Sequence, residues 1–126
     1  MNGRILIIDD DDALRTMVQT FLSSKRFEVR TAASGEEGLA SLRVMRPHLV
    51  LLDLHLPGMD GIETLRRIRE EDATVGVLVV TGFEDPEKGR QALELGASDY
   101  IRKPIDLKYL EASVTQKINS MIGSGE

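Results

Sequence analysis

Two groups of aspartates mark where this chain could do chemistry: the run Asp9 to Asp12 and the single Asp53. Each follows an apolar run, Ile5-Leu6-Ile7-Ile8 in the first case and Leu49-Val50-Leu51-Leu52 in the second. Short aliphatic runs without polar alternation read as strands buried on both faces. Parallel and side by side, the two strands bring several carboxylates to one edge of a sheet. Clustered carboxylates repel, so each favours protonation or a shared cation. A hard divalent ion such as Mg²⁺, held by one or two carboxylates and a phosphoryl oxygen, resolves that conflict. The pattern points to metal-assisted phosphoryl chemistry on an aspartate.

The elements that must position these residues are readable from periodicity. Further strand-like runs lie at residues 29–32, 77–80 and 100–101. Leu14, Met17, Val18, Phe21 and Leu22 have the spacing of a core-facing helical stripe. Leu39, Leu42 and Met45 repeat it behind Ser34, with Glu37 completing an S-x-x-E capping box. Ile62, Leu65 and Ile68 form a third stripe, and Ala92, Leu93 and Gly96 close a fourth helix. Leu107, Leu110, Val114, Ile118 and Met121 mark a fifth, capped by Asp106. Strand and helix alternate five times, which predicts an α/β fold, a five-stranded parallel sheet with helices on both faces. Such sheets bind ligands outside the carboxyl ends of their strands. Asp9 and Asp10 follow the first strand, Asp53 ends the third, Thr81 follows the fourth and Lys103 the fifth. Four strand ends thus supply carboxylates, a hydroxyl and an amine.

Composition narrows the function. A length of 126 residues predicts one domain, residues 1–122, with 123–126 (Gly-Ser-Gly-Glu) as a flexible tail or the start of a linker. Without cysteine there are no disulfides, thiolate metal sites or cysteine nucleophiles. A net charge of -5 argues against direct nucleic-acid binding by this domain, and two Tyr, three Phe and no Trp are too few for a stacking platform. No apolar stretch approaches the roughly 20 residues that span a bilayer, and residues 1–4 lead straight into a strand without a signal-peptide pattern. No membrane association and a cytoplasmic location are expected.

Four blocks in order carry a family resemblance, from about Arg4 to about Met121. They are Ile5-Leu6-Ile7-Ile8-Asp9-Asp10-Asp11, Asp53-Leu54-His55-Leu56-Pro57-Gly58-Met59-Asp60-Gly61, Val79-Val80-Thr81-Gly82, and Gly96-Ala97-Ser98-Asp99-Tyr100-Ile101-Arg102-Lys103-Pro104. Together they resemble the receiver domain of two-component response regulators, which has a flavodoxin-like (βα)5 fold. The resemblance implies that Asp53 accepts a phosphoryl group from a histidine kinase or a phosphotransfer protein. It implies that Asp10, Asp53 and the backbone carbonyl of His55 hold Mg²⁺ directly, with Asp9 acting through water. Lys103 would pair with Asp53 and then with the phosphoryl group, Thr81 would hydrogen-bond that group, and Tyr100 would swing inward. His55 and Phe83 would flank the path of attacking water and set a slow to moderate autodephosphorylation. The Lys103-Pro104 bond would be cis, and Gly58 and Gly61 would allow loop conformations closed to other residues. The implied function is a switch, not an enzyme, that assists its own phosphorylation and dephosphorylation. Its output surface would be the fourth helix, fifth strand and fifth helix, residues 85–121, for a homodimer or a downstream protein. The first helix, Leu14 to Leu22, would meet the kinase.

Other readings compete. A flavin carrier or a dinucleotide-binding domain needs a phosphate-cradling glycine-rich loop where this chain has four aspartates. A haloacid-dehalogenase-like phosphatase shares the aspartate nucleophile and Mg²⁺, but usually has a second Asp where His55 stands. A degenerate, docking-only receiver is opposed by the intact set Asp9, Asp10, Asp53, Thr81 and Lys103. Asp11 and Asp12 read as helix N-terminal residues, with Asp12 also placed to pair with Arg15. Arg66, Arg67 and Arg69, offset by Glu70, Glu71 and Asp72, read as a solvated helix face. Met17, Met45 and Met59 read as core or loop fillers. The chain ends soon after the fifth helix, as expected of a stand-alone regulator or of a receiver belonging to a longer one.

Overall fold

The computed structural model describes residues 3–82 and 86–121. Ten elements alternate along it: β1 (Arg4–Ile8), α1 (Asp12–Ser24), β2 (Glu28–Ala32), α2 (Gly35–Met45), β3 (Leu49–Asp53), α3 (Gly61–Glu71), β4 (Gly76–Thr81), α4 (Pro86–Glu94), β5 (Asp99–Arg102) and α5 (Leu107–Met121). All strand pairs are parallel, in the order β2-β1-β3-β4-β5. The chain leaves β1 to one side for β2 and returns to the other side for β3. That reversal opens a crevice at the C-terminal ends of β1 and β3, where sheets of this kind bind ligands.

The apolar runs of β1, β3 and β4 are buried because both faces of the sheet are covered. On one face Leu6, Ile8, Val50, Leu52, Val77 and Val79 pack with residues of α2, α3 and α4, such as Leu39, Leu42, Leu65, Ile68 and Ala92. On the other, Ile5, Ile7, Leu49, Leu51 and Leu78 pack with Val18 and Leu22 of α1 and Leu110, Val114 and Ile118 of α5. Each such aliphatic side chain contributes about 1.5–3 kcal/mol on full burial. The edge strand β2 differs. It alternates exposed Glu28 and Arg30 with half-buried Val29 and Thr31, and edge charges of this kind discourage pairing with another sheet.

Helix starts follow the capping chemistry. Asp11 accepts from the Leu14 N–H (3.1 Å), Ser34 from Glu37 (3.1 Å) and Asp60 from Glu63 (2.9 Å). Asp106 accepts from Lys108 and Tyr109 at the start of α5. The Glu37 carboxylate reaches one residue further back than a standard capping box, to the N–H of Ala33 (2.9 Å).

Several sequence expectations need correction. Met17 is exposed, because α1 centres its buried stripe on Val18 and Leu22 and Met17 falls at the margin. Leu93 and Met121 are exposed as well. Helix α4 ends at Glu94, and Gly96 lies in the following turn at φ +101°. Arg69 is not part of a solvated face. Its guanidinium donates to the carbonyls of Val75 (2.6 Å) and Gly96 (2.7 Å), tying the end of α3 to the entries of β4 and β5. Arg66 and Arg67 both pair with Glu63, and Glu71 pairs with Arg43 of α2. Among the described residues no helix is long and apolar enough to cross a membrane.

Candidate functional site

The strand register assembles the site. Ile8 pairs with Leu52, so Asp9 and Asp53 emerge side by side. Asp53 pairs with Val80, and Thr81 with Arg102, which places Thr81 and Lys103 next along the same edge. Asp9, Asp10 and Asp53 each offer a carboxylate oxygen, all within 4.8 Å of one another. The Lys103 Nζ lies 3.4 Å from Asp53 Oδ2 and 3.6 Å from Asp9 Oδ2. Asp9 and Asp53 are each 2% exposed and Thr81 1%, whereas Asp10 is exposed. Five residues expected from sequence to act together are therefore brought together.

Backbone N–H groups hold the two buried carboxylates in place. Asp9 Oδ1 accepts from Asp11 (2.9 Å), and Asp53 Oδ1 accepts from His55 (3.0 Å). The Lys103-Pro104 peptide bond is cis, and the Lys103 N–H donates to the Thr81 carbonyl (3.0 Å), fixing the backbone from which the lysine projects. The two loop glycines act differently. Gly58 has φ +69°, which favours glycine. Gly61 does not need a positive φ. A Cβ there would stand 2.3 Å from the Leu54 Cα and 2.6 Å from the Asp53 carbonyl oxygen, so glycine is required for α3 to close against the end of β3.

The charges are in tension. Burial raises the Asp9 pKa above the usual carboxylate range, the Asp11 N–H opposes that, and the negative charge of Asp53 adds to it. Burial disfavours the Lys103 cation, but Asp53 and Asp9 together hold its pKa above the ordinary lysine value. One ammonium thus faces two buried carboxylates, with the third, Asp10, close beside them. An all-carboxylate donor set of this kind fits a hard, oxygen-preferring divalent cation such as Mg²⁺.

The remaining predicted residues are placed as follows. The Thr81 hydroxyl donates only a long bond, 3.4 Å, to the Gly82 carbonyl. Tyr100 is half-buried, with its ring 3.5 Å from where a Gly89 Cβ would stand, so its ring lies against α4. His55 is exposed beside the site. Phe83, and Asp85 at the start of the expected output surface, lie outside the described residues. Asp11 and Asp12 take the helix-start roles expected, with Asp12 paired to Arg15.

Residues 5–115 match the response regulator receiver domain family. The chain belongs to that family. Over 122 residues this receiver is 42% identical to the transcriptional regulatory protein AfsQ1 of Streptomyces coelicolor, covering 97% of the chain and 52% of that protein. It is 40% identical over 118 residues to the DNA-binding response regulator MtrA of Mycobacterium tuberculosis, covering 94% of the chain and 51% of that protein. The chain therefore spans about half the length of these relatives. Among solved structures it matches a receiver domain protein of Clostridium thermocellum (TM-score 0.90, 29% identity, covering 94% of this chain and 96% of that one). It also matches a CheY-like receiver domain protein of Methanospirillum hungatei (TM-score 0.88, 33% identity, covering 93% and 94%). The flavodoxin-like fold and a place in two-component, phosphorylation-dependent signalling follow from this membership, and aspartyl phosphate and Mg²⁺ are typical of the family.

Sequence reasoning missed three features of the site. The first is that Lys103 bridges both buried aspartates, the second is the backbone contact that demands Gly61, and the third is the grip of Arg15 on the loop between β1 and α1. Arg15 was signalled only as a partner for Asp12.

Proposed function

We propose that this receiver takes a phosphoryl group onto the Asp53 carboxylate from a histidine kinase or phosphotransfer protein. The observation that carries this reading is the convergence of Asp9, Asp10, Asp53 and Lys103 at one sheet edge. An Asp53 oxygen attacks the phosphorus of a phosphohistidine, a new O–P bond forms, the P–N bond breaks, and the donor's imidazole leaves. Such a transfer needs positioning and charge neutralisation more than covalent help. The strand end fixes Asp53 with one oxygen on the His55 N–H and the other facing Lys103. Lys103, a point charge on a flexible stem, follows the negative charge from the carboxylate to the phosphoryl oxygens. Asp10, Asp53 and the His55 carbonyl would hold Mg²⁺, with Asp9 behind them through water, and the ion would neutralise charge on the phosphoryl oxygens. His55 and Phe83 tune access of the water that later hydrolyses the acyl phosphate.

Phosphorylation adds negative charge and acceptor oxygens at Asp53. The Thr81 hydroxyl, held by a bond at the limit of length, turns toward the new oxygens. Tyr100 then moves into the space vacated, and the surface of α4, β5 and α5 changes shape to receive a second copy or a downstream protein. Both states must lie within a few kcal/mol for one local event to choose between them. The receiver unit is residues 1–122, working in the cytoplasm as the regulatory part of a two-component pathway, with no direct contact to nucleic acid or membrane.

The test is borohydride reduction after incubation with acetyl phosphate and Mg²⁺, which converts an aspartyl phosphate to homoserine. Homoserine at position 53 supports the reading, and homoserine at position 9 or 10 overturns the choice of acceptor. A Thr81→Ala variant should still take the phosphoryl group but lose the spectral change at Tyr100. An unchanged Tyr100 response in that variant contradicts the switch.

A further inference from the structure

We propose that Arg15 is a positioning residue for the cation site, acting by fixing the peptide that links Asp9 to Asp10. The inference rests on the cation-dependent reading above. Strand β1 ends at Ile8, and the Asp9 N–H still joins the sheet by donating to the Ala32 carbonyl (3.1 Å). The Asp9 carbonyl lies where the ladder runs out, and a backbone acceptor there requires a partner. Arg15 supplies it: Nη1 donates to that carbonyl at 2.6 Å, while Nη2 pairs with the Asp12 carboxylate.

The peptide bond is planar, so the Asp9 carbonyl and the Asp10 N–H turn as one unit. Holding the carbonyl therefore fixes the plane of that peptide and with it the position of the Asp10 Cα, from which the side chain leaves the backbone. Asp9 has its own anchor, through its carboxylate and the Asp11 N–H. Asp10 is exposed, so packing does little to hold it. Arg15 thus orients the carboxylate of the site that is least held by its surroundings.

The burial pattern separates this role from an ordinary surface ion pair. The Arg15 side chain is 17% exposed, whereas its partner Asp12 is 89% exposed. A pair that open contributes little, and it does not explain why the guanidinium is drawn inward. The forked guanidinium presents two separate nitrogens in one plane, one to a carbonyl and one to a carboxylate, a geometry that the compact ammonium of lysine lacks.

The test is a Mg²⁺ titration of ¹⁵N-labelled wild type, Arg15→Gln, Arg15→Lys and Asp12→Asn, followed by the amide signals of Asp10, Asp11 and His55. Loss of an outer support of a metal ligand typically weakens metal binding about tenfold or more. Half-saturating Mg²⁺ is expected to rise about tenfold in Arg15→Gln and at least about threefold in Arg15→Lys. Asp12→Asn should stay within about twofold of wild type. A folded Arg15→Gln with wild-type half-saturation overturns the proposal, as does an Asp12→Asn loss equal to that of Arg15→Gln. If Arg15→Gln does not fold, Arg15→Lys decides, and a wild-type half-saturation there also overturns it. Wild type that binds Mg²⁺ but forms no adduct with acetyl phosphate overturns the phosphoacceptor reading alone. No saturable binding by wild type overturns both.

Discussion

Replacing Asp9 with asparagine will stabilise the Mg²⁺-free protein, although it removes a partner of Lys103. The carboxylate is 2% exposed and lies within 4.8 Å of an Asp53 oxygen. At an effective dielectric near 20, a separation no greater than that corresponds to at least roughly 3.5 kcal/mol of repulsion. The Lys103 ammonium, 3.6 Å away, returns about 4–5 kcal/mol on the same scale. Lys103 is a third exposed, so solvent screening reduces that attraction. Burial of the Asp9 charge adds a further penalty of several kcal/mol before relaxation. The raised pKa of Asp9 gives the sign of the balance, since the fold favours the neutral form. Asparagine keeps an oxygen to accept from the Asp11 N–H, and a net gain of about 1–2 kcal/mol is expected. For a domain of this size that is roughly 3–8 °C in Tm.

The sign of the pH dependence follows. A raised folded-state pKa contributes stability below the unfolded carboxylate value, and that contribution is lost as pH rises through the folded value. The gap between variant and wild type should therefore be near zero in acid and open fully by neutral pH. Adding Mg²⁺ should close it, because ten times its Kd stabilises wild type by about 1.4 kcal/mol and the variant by less. The assay is urea unfolding with EDTA or Mg²⁺ at several pH values. A variant less stable than wild type in EDTA, or a gap that Mg²⁺ leaves unchanged, refutes the reasoning.

Three further outcomes are expected. Gly61→Ala, whose Cβ would stand 2.3 Å from the Leu54 Cα, should destabilise by more than about 2 kcal/mol and slow phosphorylation; unchanged urea unfolding would contradict the close-approach argument. Arg69→Ala, which loses the Val75 and Gly96 carbonyls as partners, should cost about 1–3 kcal/mol and speed hydrogen exchange in the turn before β5, while Arg66→Ala changes little. The His48 Nδ1 accepts from the Arg4 N–H (3.0 Å), and burial, then the Arg4 charge, lowers its pKa. Stability it contributes is present above the ordinary histidine pKa and lost as pH falls through the lowered value, so His48→Asn should flatten stability between pH 7 and 5, and an unflattened profile would count against the bond.

The parts of the fold that read clearly from sequence are those fixed by side-chain chemistry along a single stretch. β1 and β3 announced themselves because strands covered on both faces need unbroken aliphatic runs, and Asp11, Ser34 and Asp106 mark helix starts by their own capping oxygens. The site was legible because parallel topology sends every strand end to one edge. Interactions that depend on backbone carbonyls left no trace. Arg69 sits in a run of compensating charges, and nothing in that run shows that Val75 and Gly96 turn their carbonyls toward it. Arg15 was visible only through Asp12, three residues before it. Met17 matched the helical spacing, but the width of the buried stripe depends on how closely α5 approaches α1. The need for glycine at position 61 lies in the distance between two backbones, which no pattern of residue types encodes.

The central claim is that Asp53 accepts a phosphoryl group at a cation-dependent site. Intact-mass measurement after incubation with acetyl phosphate, with Mg²⁺ or EDTA, on wild type and Asp53→Asn, tests it most directly. A single phosphoryl adduct on wild type that requires Mg²⁺ and is absent from Asp53→Asn is the predicted result. An adduct that persists in Asp53→Asn, or no adduct on wild type under any condition, contradicts the account.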